Sequence, residues 1–590
     1  MAWLKILSTA GILLSTSLGY LIHVGYSHRR KINQLRKQGV YVNRLPPDCS
    51  VQFAMRDLCQ EHADTEVFLM DFWPVYPALF TVFGPGPVNQ ICNKYNLPKT
   101  EVAVKFMHPV TGGPNLQGMN GDEWKYWRSL FNPGFSTGAM LNSVPHVVDS
   151  MLVFRQKLIE KIGKGMFPLD QFTSKLTEEI ILKLTLDDDS NSQRCPNPLA
   201  TALANILRWH SFWDPRILMN PLRPLIQRYN GYLMNNYIRE ELEKRFEEIK
   251  NERLSDDSQK SHKPIKSVVR LAIEAYLDDK KATDTTHLDT LDETFAAYTS
   301  YQVRLFLFGG TDSTASIMVF LYHMLAKHPD WLDKLKREHD EVFGKIPDDA
   351  SRLLKENASL LNSCKVTLAF IKETLLLYAP AGTMRAGRPG ATITDLEGTE
   401  LPIDYAGANI LHQALHTNPR VWPRAREFLP ERFLVGPEHE LYPDPAAFRP
   451  FEQGPRNCIG QTLVWNELRT ALILTCRDLK ITDAYEEFDA KNEAAMGMFA
   501  RRKRRVFGAP IRTLYGDRAY QTDTGGYIPS MATHVVSSGQ NSSQRQKFRG
   551  GQQIRSKLDW VGARLFLDER TANCICKGLL AKMYVSRLVD

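Results

Sequence analysis

The sequence predicts a mainly α-helical protein with a small β region, preceded by one membrane-spanning helix at the N-terminus. Three observations carry this prediction: an uncharged apolar stretch near the start, long helical periodicity through the body, and short β-like runs late in the chain. Apolar residues at mixed spacings of three and four indicate amphipathic helices, whereas short runs rich in β-branched residues indicate strands.

The N-terminal stretch over residues 6–27 is apolar or small and contains no Asp, Glu, Lys or Arg. As a helix it would be about 33 Å long, enough for one membrane crossing. The basic run 28–31 follows it and favours a retained anchor, with the rest of the chain in the cytosol. A cleaved signal peptide is the competing interpretation. We expect an anchor over residues 1–28 and a basic, proline-containing linker over residues 29–50.

The body, residues 51–528, shows steady helical patterning without a long linker. Helical periodicity is clearest in residues 145–162, 171–184, 232–252 and 288–327. Short β-like stretches at residues 391–394 and 408–411 predict a small sheet region. Beyond residue 528, Ser, Gly, Gln and Asn replace large apolar residues, so we expect a disordered or atypical tail over residues 529–590.

The composition is ordinary for a globular protein, with 43% hydrophobic and 24% charged residues and a mild net charge of +8. Basic residues cluster at 28–31 and 501–505 without any nucleic-acid-binding signature, so we expect contact with water or anionic lipid and no nucleic-acid partner. The nine cysteines lack the spacing of a disulfide framework or a zinc site. This pattern indicates a reduced, cytosol-facing protein.

One helical segment contains two adjacent glycines, in the sequence Phe-Gly-Gly-Thr-Asp-Ser-Thr at residues 308–314. Each glycine inside a helix costs about 1 kcal/mol relative to alanine, which often marks a place where something approaches the backbone. Asp312, with the hydroxyl groups of Ser313 and Thr314, could relay protons there. The alternative is a helix kink with polar residues that face solvent.

A single cysteine, Cys458, lies in the sequence Phe-Glu-Gln-Gly-Pro-Arg-Asn-Cys-Ile-Gly at residues 451–460, directly before a predicted helix. Gly454 and Gly460 would let the loop backbone approach a flat ligand. Amide groups at the helix start would lower the pKa of the thiol. Arg456 could pair with an anionic group of that ligand. The alternative is a buried, inert cysteine.

This loop resembles the haem-ligand signature of the cytochrome P-450 family, F-x-x-G-x-R-x-C-x-G, at every fixed position. The resemblance implies the cytochrome P-450 fold and haem b (iron protoporphyrin IX) as cofactor. It implies that Cys458 is the metal ligand and that Phe451, Gly454, Arg456 and Gly460 contact the cofactor.

The glycine-containing helix resembles the oxygen-handling motif of the same family, [A/G]-G-x-[D/E]-T-[T/S]. Gly309, Gly310, Asp312 and Thr314 match it, whereas Ser313 replaces the usual threonine but keeps the hydroxyl group. The resemblance implies that O2 binds beside Gly310 and that Asp312 and Ser313 deliver protons.

Three further residues match the family's propionate-binding positions. Trp124 and Arg128 resemble the W-x-x-x-R motif and share a helix face. Arg385 matches an arginine at the start of the family's small sheet. The resemblance implies that all three hold haem propionates; the alternative is a core tryptophan with surface arginines.

The chain departs from the family at the E-x-x-R motif, where Glu373 is followed by Leu376 in place of arginine. Arg432 in the segment Pro-Glu-Arg-Phe supplies the third member of that structural network. Removing one member of a buried charged network costs about 3–5 kcal/mol. Local repacking, a degenerate copy and a sequence error are the competing explanations.

The resemblance implies a haem-thiolate monooxygenase that inserts one oxygen atom from O2 into a small apolar substrate. Electrons would come from NADPH through NADPH–cytochrome P-450 reductase. The sequence is similar to fungal microsomal members from secondary-metabolite clusters of the sterigmatocystin and aflatoxin type, so a polyketide-like substrate is expected. We expect substrate contacts from the segment before Trp124 and from residues 209–222.

The anchor implies contact with membrane lipid and a single-pass protein of the endoplasmic reticulum with a cytosolic catalytic domain. Two alternative functions remain open on the sequence. One is a haem-binding but catalytically impaired copy, suggested by Leu376. The other is a haem-thiolate isomerase or dehydratase that needs no external reductant.

Overall fold

The computed structural model describes residues 2–38, 40–44, 58–73, 78–210, 215–254, 266–283, 290–404, 406–484, 487 and 532–537. The end of the expected linker, the basic run 501–505 and most of the expected tail lie outside these residues.

The described chain is mainly helical, as predicted. Its helices are α1 (Ala2–Lys37), α2 (Pro85–Asn89), α3 (Glu101–Thr111), α4 (Gly121–Phe131), α5 (Thr137–Asn142), α6 (Val144–Ile159), α7 (Leu169–Leu186), α8 (Pro198–Arg208), α9 (Pro215–Leu218), α10 (Arg223–Leu254), α11 (Val268–Thr283), α12 (Glu293–Lys327), α13 (Pro329–Phe343), α14 (Asp349–Glu356), α15 (Lys365–Leu377), α16 (His412–His416) and α17 (Gln461–Thr475). Its strands are β1 (Val42–Arg44), β2 (Val67–Asp71), β3 (Leu79–Val82), β4 (Phe167–Pro168), β5 (Thr383–Arg385), β6 (Thr392–Thr394), β7 (Glu400–Pro402), β8 (Gly407–Ile410), β9 (Leu479–Asp483) and β10 (Ala532–Ser537).

The four segments with the clearest periodicity all form helices, namely α6, α7, α10 and α12. Helix α10 begins at Arg223, before the predicted start, because exposed apolar residues such as Leu225 and Tyr229 obscure the periodicity there. Helix α12 runs through the core and packs chiefly against α7. The two predicted β-like stretches form β6 and β8.

The largest sheet of the described residues has the strand order β1-β2-β3-β8-β5. Strand β8 pairs in parallel with β3 and antiparallel with β5, with Ala408 opposite both Phe80 and Arg385. This pairing joins the early part of the chain to the region just after α15. It therefore fixes Thr383 and Arg385 next to residues that precede α3.

Strand β10 corrects the expected domain boundary at residue 528. It pairs antiparallel with β9 from Thr533–Asp483 to Ser537–Leu479, and with the short β4. Part of the expected tail is therefore a strand of the domain's second sheet. The polar composition on both sides of this short β-branched run concealed it in the sequence.

The expected anchor and the first part of the expected linker form one continuous helix, α1. Ile32, Leu35 and Val40 are buried against the sheet region, and His28 Nε2 lies 2.8 Å from Asp71 Oδ1. The linker therefore packs on the body over these residues, since its apolar side chains find a partner surface. A membrane-spanning role for residues 1–28 stays a prediction.

Among the helices of the described residues, α12 alone is long and apolar enough to cross a membrane by length and composition. Its apolar window is 61% buried inside the protein. This burial identifies α12 as a core helix.

The expected Glu373–Arg432 pair forms in the fully buried interior, with Glu373 Oε1 3.3 Å from Arg432 Nε. The same oxygen accepts the Leu429 N–H at 2.9 Å. Arg432 donates its remaining nitrogens to the carbonyl groups of Pro423 and Arg424. In the part of the chain that the structure describes, nothing donates to Glu373 Oε2.

Leu376 is fully buried in an apolar cluster next to this pair. Burial of a leucine side chain stabilises a fold by about 1.5–3 kcal/mol, which offsets part of the loss of an arginine from the network. Burial raises the pKa of Glu373 to about 7, and Arg432 with the Leu429 N–H only partly opposes this. The arrangement supports local repacking among the three explanations.

We predict that Leu376→Arg raises the midpoint of thermal unfolding by about 2 °C, because the new guanidinium would reach the unused Glu373 Oε2 one helix turn away. Leu376→Met is the matched control, since it fills similar volume without charge. The gain should vanish in the double variant Leu376→Arg with Glu373→Gln. A lower midpoint for Leu376→Arg than for Leu376→Met would contradict the prediction.

We also predict that Glu373 makes the fold less stable as pH rises. Its folded pKa of about 7 exceeds the ordinary value of 4.5, so its contribution is complete below pH 4.5 and is lost as pH rises through about 7. Denaturant unfolding measures the free energy of unfolding at pH 5 and at pH 8. The difference between these two values should be smaller in Glu373→Gln than in the wild type, by roughly 3 kcal/mol. Identical pH dependence in both proteins would exclude this assignment.

A third prediction concerns the strand that the sequence concealed. A chain ending at residue 530 should unfold at a lower temperature than one ending at residue 540, because only the shorter chain lacks β10 and leaves the β9 backbone unpaired. Circular dichroism melts of both truncations test this. Equal melting temperatures would show that β10 contributes nothing to stability.

Candidate active site

A cavity of about 320 Å³ lies between α12 and the loop that precedes α17. Its wall includes most of the predicted site residues: Trp124, Arg128, Gly310, Asp312, Ser313, Thr314, Phe451, Arg456, Cys458 and Gly460. The predicted residues Arg385, Gly454, Glu373 and Arg432 are not part of this wall. The fold thus brings together residues more than 300 positions apart in the chain.

Backbone hydrogen bonds and one glycine set the shape of the cysteine loop. The Cys458 N–H donates to the Phe451 carbonyl at 2.9 Å, and the Asn457 N–H donates to the Gly454 carbonyl at 3.1 Å. Gly454 has a φ of +83°, and a Cβ there would come within 1.9 Å of Asn93 Oδ1. The loop therefore needs glycine at this position to present Cys458 to the cavity.

The electrostatics of the thiol differ from the prediction. Cys458 is exposed to the cavity but lies away from bulk water, and this desolvation raises the pKa of its thiol above the ordinary value. The Gly460 N–H and the Arg128 charge only partly offset the effect. Amide groups at the start of α17 are thus insufficient alone, because the sulfur lies beside apolar residues such as Leu463. A metal cation at the sulfur would reverse the balance, since coordination deprotonates a thiol outright.

Trp124 and Arg128 lie on one face of α4, as predicted, but their donors already have protein acceptors. Trp124 Nε1 donates to the Leu116 carbonyl at 3.1 Å. Arg128 donates to Asn132 Oδ1 at 2.7 Å and to the Asn457 carbonyl at 3.1 Å. These contacts tie α4 to the cysteine loop. A role of both residues in holding an anion stays a prediction.

Arg385 and Arg456 present unused donors near one end of the cavity. Arg385 is fully buried and donates Nη1 to the Leu97 carbonyl at 3.0 Å, whereas its Nε and Nη2 have no acceptor among the described residues. Arg456 donates Nη2 to Asn120 Oδ1 at 3.0 Å, and its Nε and Nη1 are likewise without an acceptor within the described ranges. Both guanidinium groups are suited to a carboxylate.

Lys99 adds a third cation at this end, and nothing in the sequence marked it. It lines the cavity and donates to Thr383 Oγ1 at 2.5 Å. Burial, together with repulsion from Arg385 and Arg456, lowers the pKa of Lys99 to about 7. These three cations repel one another, so an anionic ligand would stabilise all of them.

A buried ion pair, also absent from the predictions, holds the start of the cysteine loop. Glu452 accepts from His412 Nε2 at 3.0 Å and from Arg449 Nε at 2.7 Å. Burial alone would raise the pKa of Glu452, but His412 and Arg449 hold it well below its usual range. His412 Nδ1 lies 2.8 Å from the Ala381 carbonyl oxygen, so both ring nitrogens of His412 face acceptors.

The two adjacent glycines of α12 have different surroundings. A Cβ on Gly309 would meet nothing within 4 Å, whereas a Cβ on Gly310 would come 2.8 Å from Ile181 Cγ1. Gly309 therefore provides the open space on the cavity side, and Gly310 permits close packing of α7. Ser313 Oγ donates to the Gly309 carbonyl at 2.8 Å, which positions its hydroxyl group at the edge of this space.

The residues around the cavity fit iron protoporphyrin IX. A single thiol from a rigid loop suits iron, and the wall around it is largely apolar. The unused donors of Arg385 and Arg456, with Lys99, match the two carboxylates of that cofactor.

Comparison with known proteins agrees with this fit. The cytochrome P-450 family profile matches residues 72–505. The chain is 34% identical to the cytochrome P-450 monooxygenase polC of Polytolypa hystricis, over 89% of this chain and 94% of that protein. It is 27% identical to the cytochrome P-450 monooxygenase acrF of Aspergillus aculeatus, over 81% of this chain and 95% of that protein.

A crystal structure of the cytochrome P450DA haem domain has the same fold, with a TM-score of 0.59 and 18% sequence identity. The alignment covers 76% of this chain and 92% of that domain. The cysteine loop, the cationic end of the cavity, the family profile and the polC similarity agree, and the chain belongs to the haem-containing cytochrome P-450 monooxygenases.

Proposed function

We propose that this chain inserts one oxygen atom from O2 into a small apolar molecule, with electrons from NADPH through NADPH–cytochrome P-450 reductase. One observation carries the proposal: the Cys458 thiol and the polar residues of α12 line the same largely apolar cavity. The cofactor, when bound, supplies oxygen activation. The protein's residues bind it, orient the substrate and move protons.

Cys458 is the proposed metal ligand, with Phe451 and Gly460 beside it in the cavity wall. Arg385, Arg456 and Lys99 hold the cofactor carboxylates, since the two arginines keep donors without an acceptor among the described residues and Lys99 lies beside both guanidinium groups. The Glu452–His412 pair, which also lines the cavity, holds the start of the loop.

Asp312 and Ser313 are the proposed proton donors, because both line the cavity next to the open space at Gly309. Ser313 Oγ can rotate from the Gly309 carbonyl toward that space more freely than a threonine hydroxyl, since it lacks the branching methyl group. Thr314 is buried behind them.

The substrate is proposed to be a fungal secondary metabolite of apolar character, such as a polyketide. Phe135, Ile181, Phe306 and Phe308 give the cavity an apolar wall, and two similar proteins come from fungi. We propose a single-pass location in the endoplasmic reticulum membrane with a cytosolic catalytic domain. Exposed apolar residues of α1, including Leu18 and Ile22, support contact with membrane lipid.

Replacement of the thiol tests the proposal. We expect purified Cys458→Ser to lose the thiolate-type carbon monoxide difference spectrum and all substrate-dependent NADPH consumption with reductase. Cys195→Ser is the matched control, because Cys195 is exposed and is not part of the cavity wall. An unchanged spectrum in Cys458→Ser would refute the proposed ligand.

The same measurements separate the alternatives. A thiolate-type spectrum in the wild type without NADPH consumption across apolar substrates would favour an isomerase or dehydratase. Absence of the spectrum in the wild type would favour an impaired copy.

A further inference from the structure

A small side cavity of about 50 Å³ opens beside the main one, between α3 and β5. Lys99, Gln117, Gly382 and Thr383 line both cavities, so the side cavity continues the main one. Its other walls come from Ala103, Val104, Phe106, Met107, Asn115, Gly118 and Met384. A bound water needs about 10–15 Å³, so this space fits a small polar group with a few atoms around it.

The loop that carries Gln117 is held in place by α12. The Leu116 N–H donates to Gln302 Oε1 at 2.8 Å, and the Gln117 N–H donates to Asn115 Oδ1 at 3.0 Å. Arg304, also on α12, donates at 2.9 Å to the carbonyl of Val110, which lies in the last turn of α3. The backbone at Gln117 is therefore already ordered, so a ligand does not have to order this loop when it binds.

One hydrogen-bond acceptor of the Gln117 side chain is without a donor among the described residues. Its Oε1 is buried and accepts from no group in the described residues. The neighbouring Asn115 differs, because its Nδ2 donates to Thr111 Oγ1 at 3.0 Å and to the Gly113 carbonyl at 2.9 Å. A buried acceptor without a donor costs about 1–3 kcal/mol, so a ligand that donates to it gains affinity.

We propose that Gln117 binds a hydroxyl group of the substrate, which is an otherwise apolar molecule whose hydroxyl-bearing end enters the side cavity. The inference rests on the proposed monooxygenase function and narrows its substrate class. A hydroxyl group carries the proton that the Gln117 Oε1 atom lacks, so it can donate to this acceptor. An ether or carbonyl lacks the proton that Oε1 needs, and a hydrocarbon offers neither partner.

The test measures binding to the full-length, haem-loaded protein by optical titration, without turnover. The probes are cholestanol, its methyl ether and cholestane, and, as a linear series, 1-dodecanol, its methyl ether and dodecane. We expect the better-fitting alcohol to bind about 5- to 30-fold more tightly than its ether and hydrocarbon. Gln117→Leu should abolish this difference, because it keeps the volume and removes the acceptor.

Gln117→Glu is the rescue control, since a carboxylate also accepts from a hydroxyl group, and it should retain the preference for alcohol over ether. Haem content should be unchanged in both variants. Four results would overturn the inference: equal wild-type affinities within each series, a preference that survives Gln117→Leu, haem loss in Gln117→Leu, or no binding of either alcohol. A missing thiolate-type spectrum in the wild type would instead overturn the proposed function itself.

Discussion

Clustered positive charge at one end of the cavity is the constraint on which the rest of the structure depends. Lys99, Arg385 and Arg456 are brought together by β5 and by the segments before α3 and α17. Like charges that are held close together away from water repel one another, so each of these groups disfavours the charged form of the others. A ligand with two carboxylates removes that cost, so cofactor binding and folding stability are thermodynamically linked.

The cysteine loop depends on a second group of charges. In this group the acid and the bases contact one another directly, so no ligand is needed to balance them. Glu452 has a φ of +60°, a region that is unfavourable for a side-chain-bearing residue. Its carboxylate is nevertheless held by His412, Arg449 and the Gln453 N–H. These contacts maintain a strained backbone six residues before Cys458. Internal charges thus hold the loop that carries Cys458, whereas Arg385 and Arg456 keep donors without an acceptor among the described residues.

Much of the fold was predictable, because it follows from local patterns. The periodicity of α6, α7 and α12 comes from one buried face per helix, and the cysteine loop follows from short-range motif spacing. Lys99 and the His412–Glu452 pair were not predictable, since their roles arise from contacts between distant segments. Strand β10 was missed because a short run of residues gains its stability only from pairing with β9.

Contacts between distant segments also explain how the fold accommodates Leu376. The arginine of the usual motif would join a network, yet Arg432 already satisfies its donors with Glu373 and two carbonyl groups. Among the described residues of this network, only Glu373 Oε2 lacks a hydrogen-bond partner. It can carry a proton because burial raises the pKa of that carboxyl group. Leu376 meanwhile belongs to the apolar cluster that includes Trp422 and Ala447, close in sequence to the Arg449 that holds Glu452. With leucine at position 376 in place of the usual arginine, apolar packing therefore takes the place of an ion pair in this part of the core. The contacts that hold the cysteine loop are all still made.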